Sequence, residues 1–184
     1  MSLATAIEAI DAAHAADPDG KELAYADSCE KWLQHLLGDL DDTARLAARC
    51  QHLERWSIPR DSYPEGRASY LKWRKAVHAR QGERACELIT AAGVDTAVAE
   101  RVRELVAKRI PRSDPLSQAL EDAACLVFLD EQIDDFLTRN AYSDEKCIDI
   151  IRKTWNKMGE GGHAAALTLD LSPRVGSLVQ QALA

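Results

Sequence analysis

The chain has 184 residues, enough for one domain built around a single core, and a single domain over residues 1–184 is expected. A hydrophobic share of 46% and a charged share of 29% exclude a disordered or fibrous protein, and only 5% aromatics favours helices over a sandwich or barrel. The net charge of −7 sets thirty carboxylates against twenty-three Lys and Arg, which argues against nucleic acid and anionic membrane as partners.

The first helical pattern is short, with Leu3, Ile7 and Ile10 on one face and a break at Asp17-Pro18-Asp19-Gly20. A second runs from Leu23 to Leu37, with Gly38 as its stop. Asp41 or Asp42 caps a third, read through Arg55, whose buried stripe is Leu46, Cys50 and Leu53. Two prolines and a glycine make residues 57–67 a loop. Helical spacing resumes from Ala68 to Gly93, with a break expected near Gln81-Gly82, and Asp95 caps a helix ending before Pro111. Leu116 to Leu137 is the most apolar stretch and, being apolar all round at residues 123–129, should be the central helix. Ser143 caps a helix to about Met158, Gly161-Gly162 interrupts, His163 to Leu169 is short, and Ser172-Pro173 opens the last. The fold class is therefore all-α, a compact bundle of seven to nine helices.

Five widely spaced cysteines without a C-x-x-C pair read as free thiols of a reducing compartment. The start Met1–Glu8 has no basic run ahead of an apolar one, and no segment approaches the roughly 20 apolar residues of a membrane span. A soluble, cytoplasmic protein is the expectation.

No phosphate-cradling Gly-rich loop, H-E-x-x-H or Gly-x-Ser-x-Gly is present, so chemistry must come from scattered residues gathered by helix packing. Asp122 precedes the all-apolar run and should be buried. A buried carboxylate needs a partner: a metal, a cation or a helix N-terminus. It is a site candidate, against an internal salt bridge or cap. On a continuous third helix, Arg45, Arg49, His52 and Trp56 would form one ridge suited to a phosphate, with Gln51 nearer the apolar edge. Arg60, Arg74 and the aromatic Trp73 would extend it; the alternative is a solvated basic face. Arg152–Met158, with Lys153 and Trp155, would close the pocket from another side. His14 and His35 read as surface residues.

Leu46 to Arg60, Tyr70-Leu71-Lys72-Trp73-Arg74, Leu120 to Leu129 and Arg152-Lys153-Thr154-Trp155 together resemble the uncharacterised family catalogued as domain of unknown function 4202, across nearly the whole chain. More distantly, the helix order resembles the HD superfamily of metal-dependent phosphohydrolases. On that likeness Tyr25 stands at the first His position, Gln51-His52 at the His-Asp position, His78 at an accessory His and Asp122 at the distal Asp. Only Asp122 agrees in type among the principal positions, and Tyr25 and Gln51 are poor divalent-metal ligands. The likeness implies an HD-like fold, a divalent metal as cofactor and His52, His78 and Asp122 as candidate ligands.

The reading that follows is an HD-like domain that binds a phosphorylated small molecule or nucleotide, acting as a phosphohydrolase with a degenerate metal site. His52 and Asp122 would meet in one cleft as the catalytic pair, and Gln51, Arg49, Arg60, Arg74, Trp73, Lys153 and Trp155 would hold the anion. The alternative is a non-catalytic module that recognises a ligand or protein.

Overall fold

Ten helices carry the fold: α1 (Leu3–Ala15), α2 (Glu22–Leu37), α3 (Asp42–Arg49), α4 (Arg67–Ala91), α5 (Thr96–Val106), α6 (Pro115–Val127), α7 (Ile133–Asn140), α8 (Asp144–Trp155), α9 (Glu160–Ala166) and α10 (Pro173–Leu183). The computed structural model describes residues 2–184, and among these residues there is no strand. Short polar side chains start six of the helices. Ser2, Asp41, Asp95, Asp114, Ser143 and Ser172 each accept from a backbone N–H in the first turn, and Pro115 and Pro173 follow their caps directly. Gly38 stops α2 with φ 79°, as its position in sequence predicts.

Two apolar clusters share one axis. The first joins α1–α5 and the front of α6 through residues such as Ile10, Leu33, Leu46, Leu53 and Ile89; the second joins the end of α6 to α7–α10 through Leu126, Ile133, Leu137, Ile151 and Leu178. The apolar stretch of the sequence is thus central, because α6 gives Leu120 and Ala123 to one cluster and Cys125 and Leu126 to the other. It is not one uninterrupted α-helix. Residues Phe128–Gln132 form a π-helical turn between α6 and α7, the kind of local underwinding that often borders a functional site.

Sequence expectations are corrected at the third helix, His14, Gly161-Gly162 and Gly82. The third helix does not reach Arg55: it ends at Arg49, because His14 Nε2 donates at 2.8 Å to the Arg49 carbonyl that a continuing helix would offer to Leu53. The ridge of Arg45, Arg49, His52 and Trp56 therefore does not form, and His14 is fully buried rather than at the surface. Gly161 and Gly162 lie inside α9 instead of interrupting a helix, since a Cβ on Gly162 would come within 2.8 Å of the Asp122 carboxyl carbon.

Gly82 does not break α4 either. It is the point where α4 and α5 come closest: an added Cβ would stand 2.7 Å from the Arg103 carbonyl oxygen and 3.0 Å from Ala107 Cβ. Gly82→Ala gains helix propensity of up to ~1 kcal/mol but forces two backbones apart, so a net loss of about 1–2 kcal/mol in a urea melt is expected. An unchanged or raised midpoint would show that the helices can separate freely here.

Candidate functional site

The turn that ends α3 builds the first wall of a cavity. Asp11, Asp27 and Glu30 hold the buried Arg49 guanidinium, at 2.6 Å from Asp27 and 3.1 Å from Glu30, and anchor the end of the helix. Burial works against the Arg49 charge, but its three carboxylates outweigh it and raise the pKa above its ordinary value. Beyond this anchor the chain turns through His52 (φ 60°) and Glu54 (φ 48°), both left-handed. His52 then lies flat on Tyr25, with ring centroids 3.8 Å apart and planes within 4°, and its Nδ1 meets Glu22 Oε2 at 3.2 Å. Since a carboxylate can only accept, Nδ1 carries the proton and Nε2 is left as an open acceptor. Burial lowers the His52 pKa despite the Glu22 hydrogen bond, so the ring is neutral near pH 7.

The cavity bounded by this turn has a volume of about 320 Å³. Arg74, His78 and Gln81, spaced four and three along α4, present one face to it; Lys108 enters after α5, Glu121 from α6, Phe128 from the π turn and Lys157 after α8. Arg55 completes the cationic set and is held over the Trp73 ring at 4.9 Å. Lys108 pairs with Glu121 at 3.4 Å, whereas Arg55, Arg74 and Lys157 have no carboxylate partner among the described residues. Four cations thus face one acid. This field displaces the pKa of two groups on the wall. Burial and then the charges of Arg74, Lys108 and Arg55 push the His78 pKa down to about 3. Burial opposes ionisation of Glu121, but Lys108, Lys157 and Arg74 outweigh it and lower that carboxyl. Gln81, only 3% exposed, adds a buried Nε2 with no acceptor among the described residues.

Backbone strain falls on the same wall. Of the four non-glycine residues with positive φ among the described residues, His52 and Lys108 (φ 56°) both line the cavity. Lys108 occupies the left-handed position that closes α5, with the Lys108 N–H on Leu105 O and the Arg109 N–H on Glu104 O. At the end of α4 the equivalent position is Gly93 (φ 74°), the residue such a turn favours. A lysine there is a local departure from turn chemistry that puts a charge in the cavity, and the contrast of Ala92-Gly93 with Ala107-Lys108 was readable in the sequence.

Of the residues singled out from sequence, Gln51, His52, Arg74, His78 and Tyr25 come together here. The others lie elsewhere. Arg49 is spent on its three carboxylates; Arg60 donates to the Tyr63 and Pro64 carbonyls within its loop; Lys153 is exposed and pairs with Asp149 at 2.7 Å; Trp155 stacks on His163 at 4.0 Å. Trp73 is buried with its Nε1 on Ile58 O and serves the cavity only by seating Arg55. Asp122 is buried, as expected, but does not line the cavity or bond to His52: it accepts from Gly159 N at 2.8 Å and Gln118 Nε2 at 2.7 Å, capping the entry to α9. Sequence reasoning missed Arg55, Lys108, Gln81 and Glu121, and within the Arg152–Met158 segment it singled out Lys153 where the cavity is lined by Lys157.

The family model described as domain of unknown function, DUF4202, matches residues 4–179. The chain belongs to this family. Neither the curated proteins nor the solved structures yielded a match.

The metal candidates of this DUF4202 chain do not form a ligand set. Asp122 is committed to α9 and His52 to Glu22, while His78 stands among cations that repel a metal ion; among the described residues no three His, Cys, Asp or Glu side chains are placed to hold one. The five cysteines are unpaired, and burial pushes Cys125 on the cavity wall up to about 12, which removes it as a thiolate nucleophile. Asp122→Ala in the DUF4202 fold orphans the Gly159 N–H and should cost about 1–3 kcal/mol in a denaturant melt. It should leave any anion response intact, and loss of that response with unchanged stability would return Asp122 to the site.

Burial lowers His14, His52 and His78 below the 6.5 of an unfolded histidine. Below about pH 6.5 the unfolded chain therefore takes up protons that the folded chain refuses, and stability falls as pH falls, down to about pH 3 for His78. The urea midpoint should drop between pH 7 and pH 5, less steeply in His78→Gln; an equal slope in the variant would mean that His78 titrates normally.

Proposed function

We propose that this protein binds a phosphorylated small molecule in the cavity between α4, α6 and the turn after α3. The observation that carries the reading is the convergence of Arg55, Arg74, Lys108 and Lys157 on one partly enclosed space in a chain whose net charge is −7. Of these, only Lys108 has a carboxylate partner among the described residues, Glu121, and keeping the other three like charges beside it is unfavourable unless an anion completes them. Guanidinium groups suit the tetrahedral oxygens of a phosphate, Gln81 offers a further donor, and Tyr25, Tyr70 and Phe128 give an organic group aromatic surface. The distant HD likeness supplies a helical scaffold for this reading, but its metal chemistry finds no support in the donors present.

A second reading, hydrolysis of the bound phosphate ester, is favoured by the Glu22–His52 pair. A neutral imidazole oriented by a carboxylate, with Nε2 open, is the arrangement of a general base that removes a proton from attacking water. Release of orthophosphate from a panel of phosphate monoesters, lost in His52→Asn, would mark the protein as a hydrolase; binding without release would mark a recognition module.

The binding reading is tested by Lys108→Gly. The glycine relieves a left-handed lysine by about 1 kcal/mol but also removes the ion-pair partner of Glu121, so the variant should keep its stability to within about 1 kcal/mol. The stabilisation by inorganic phosphate at constant ionic strength should shrink, as it should in Arg74→Gln. If phosphate stabilises the wild type no more than chloride does, the cavity is not an anion site.

A further inference from the structure

The cationic wall is two-sided. Arg74, His78, Lys108, Glu121 and Lys157 line the cavity already described and also a neighbouring cleft of about 690 Å³. That cleft adds Lys75, Arg109 and Arg112, and its remaining surface includes the apolar Leu71, Ile110 and Pro111. Arg109 is occupied by Glu104 at 2.9 Å. Lys75 and Arg112 have no carboxylate partner among the described residues, and Arg112 is positioned: its Nη1 donates at 2.8 Å to the backbone carbonyl of Lys157, whose side chain belongs to the shared wall. Glu121 is the one acid lining either cleft and is already paired with Lys108.

We infer that the ligand carries two phosphoryl groups, one held on the shared wall by Arg74, Lys108 and Lys157 and the second reaching Lys75 and Arg112 in the neighbouring cleft. A single phosphate has charge enough for the first group of cations only. Lys75 and Arg112 are exposed, and a second anionic group in this cleft would meet a guanidinium oriented by the Lys157 carbonyl and an ammonium, neither with a carboxylate partner among the described residues. Pro111 supports this placement, because its fixed φ holds the segment that carries Arg112. The aromatic cavity then takes the organic part, and the neighbouring cleft takes the distal phosphate.

This inference rests on the anion reading of the first cavity, and calorimetry with three probes separates the two. Orthophosphate tests the shared wall; pyrophosphate and a hexose bisphosphate test the second position with adjacent and separated phosphoryl groups. At least one of the two-phosphate probes should bind about tenfold more tightly than orthophosphate. Lys75→Gln/Arg112→Gln should remove that gain while leaving orthophosphate affinity within about twofold. Lys146→Gln/Lys153→Gln, which loses the same charge outside both clefts, should keep it. A gain that survives in the first double variant, or that vanishes equally in the second, overturns the two-phosphate inference. So does the lack of any gain in the wild type while orthophosphate binds. No binding of orthophosphate at all overturns the anion reading itself.

Discussion

A buried arginine organises the amino-terminal half of this protein. Arg49 is almost wholly removed from water, which only ionic partners can offset, and it takes them from two helices: Asp11 on α1 and Asp27 and Glu30 on α2. His14 binds the carbonyl of the same residue, so side chain and backbone of one position tie α1, α2 and α3 together. The consequence is directional. With Arg49 turned inward and its carbonyl taken, α3 has to stop, and the left-handed turn that follows lays His52 on Tyr25 and sends Arg55 to Trp73. Position 49 is therefore a structural arginine, and the turn it sets brings Arg55 to the cavity wall.

The carboxyl-terminal half depends on two adjacent acids of α6. Successive residues point about 100° apart around a helix, so Glu121 reaches Lys108 at the cavity while Asp122 faces α9 and accepts the Gly159 N–H. Gly162 lets α9 approach that carboxylate, and the π turn at Phe128–Gln132 places Phe128 and Gln132 on the cavity wall before α7 continues in the second apolar cluster. One helix thus separates a structural carboxylate from one that answers a charged site.

The cavity itself is assembled against local preference. Lys108 stands where a glycine would suit the turn, His52 is left-handed, cations sit together, and a buried Gln81 amide lacks an acceptor. Such departures destabilise a fold unless something bound there repays them, and they tend to gather where a protein acts. Lys108, His52, Gln81 and the cations all lie around one cavity, and that placement is the ground on which the anion reading rests.

The sequence by itself determined the all-α class, the caps at Asp95, Ser143 and Ser172, the stop at Gly38, the buried stripe of Leu46, Cys50 and Leu53, the central place of residues 116–137 and the family. These follow from helical periodicity and from side chains acting on backbone within a few residues, which the linear order preserves. It brought His52, Gln51, Arg74 and His78 to notice as well, because unusual polar residues stand out. Which cations face the cavity was decided only by the tertiary structure. Arg49 and Arg55 lie six residues apart and Lys153 and Lys157 four apart, yet one of each pair is neutralised by a carboxylate and the other lines the cavity with no carboxylate partner among the described residues. Neutralisation depends on what a neighbouring helix brings within about 4 Å, and charge, unlike apolar surface, leaves no periodic trace of its partner in the chain.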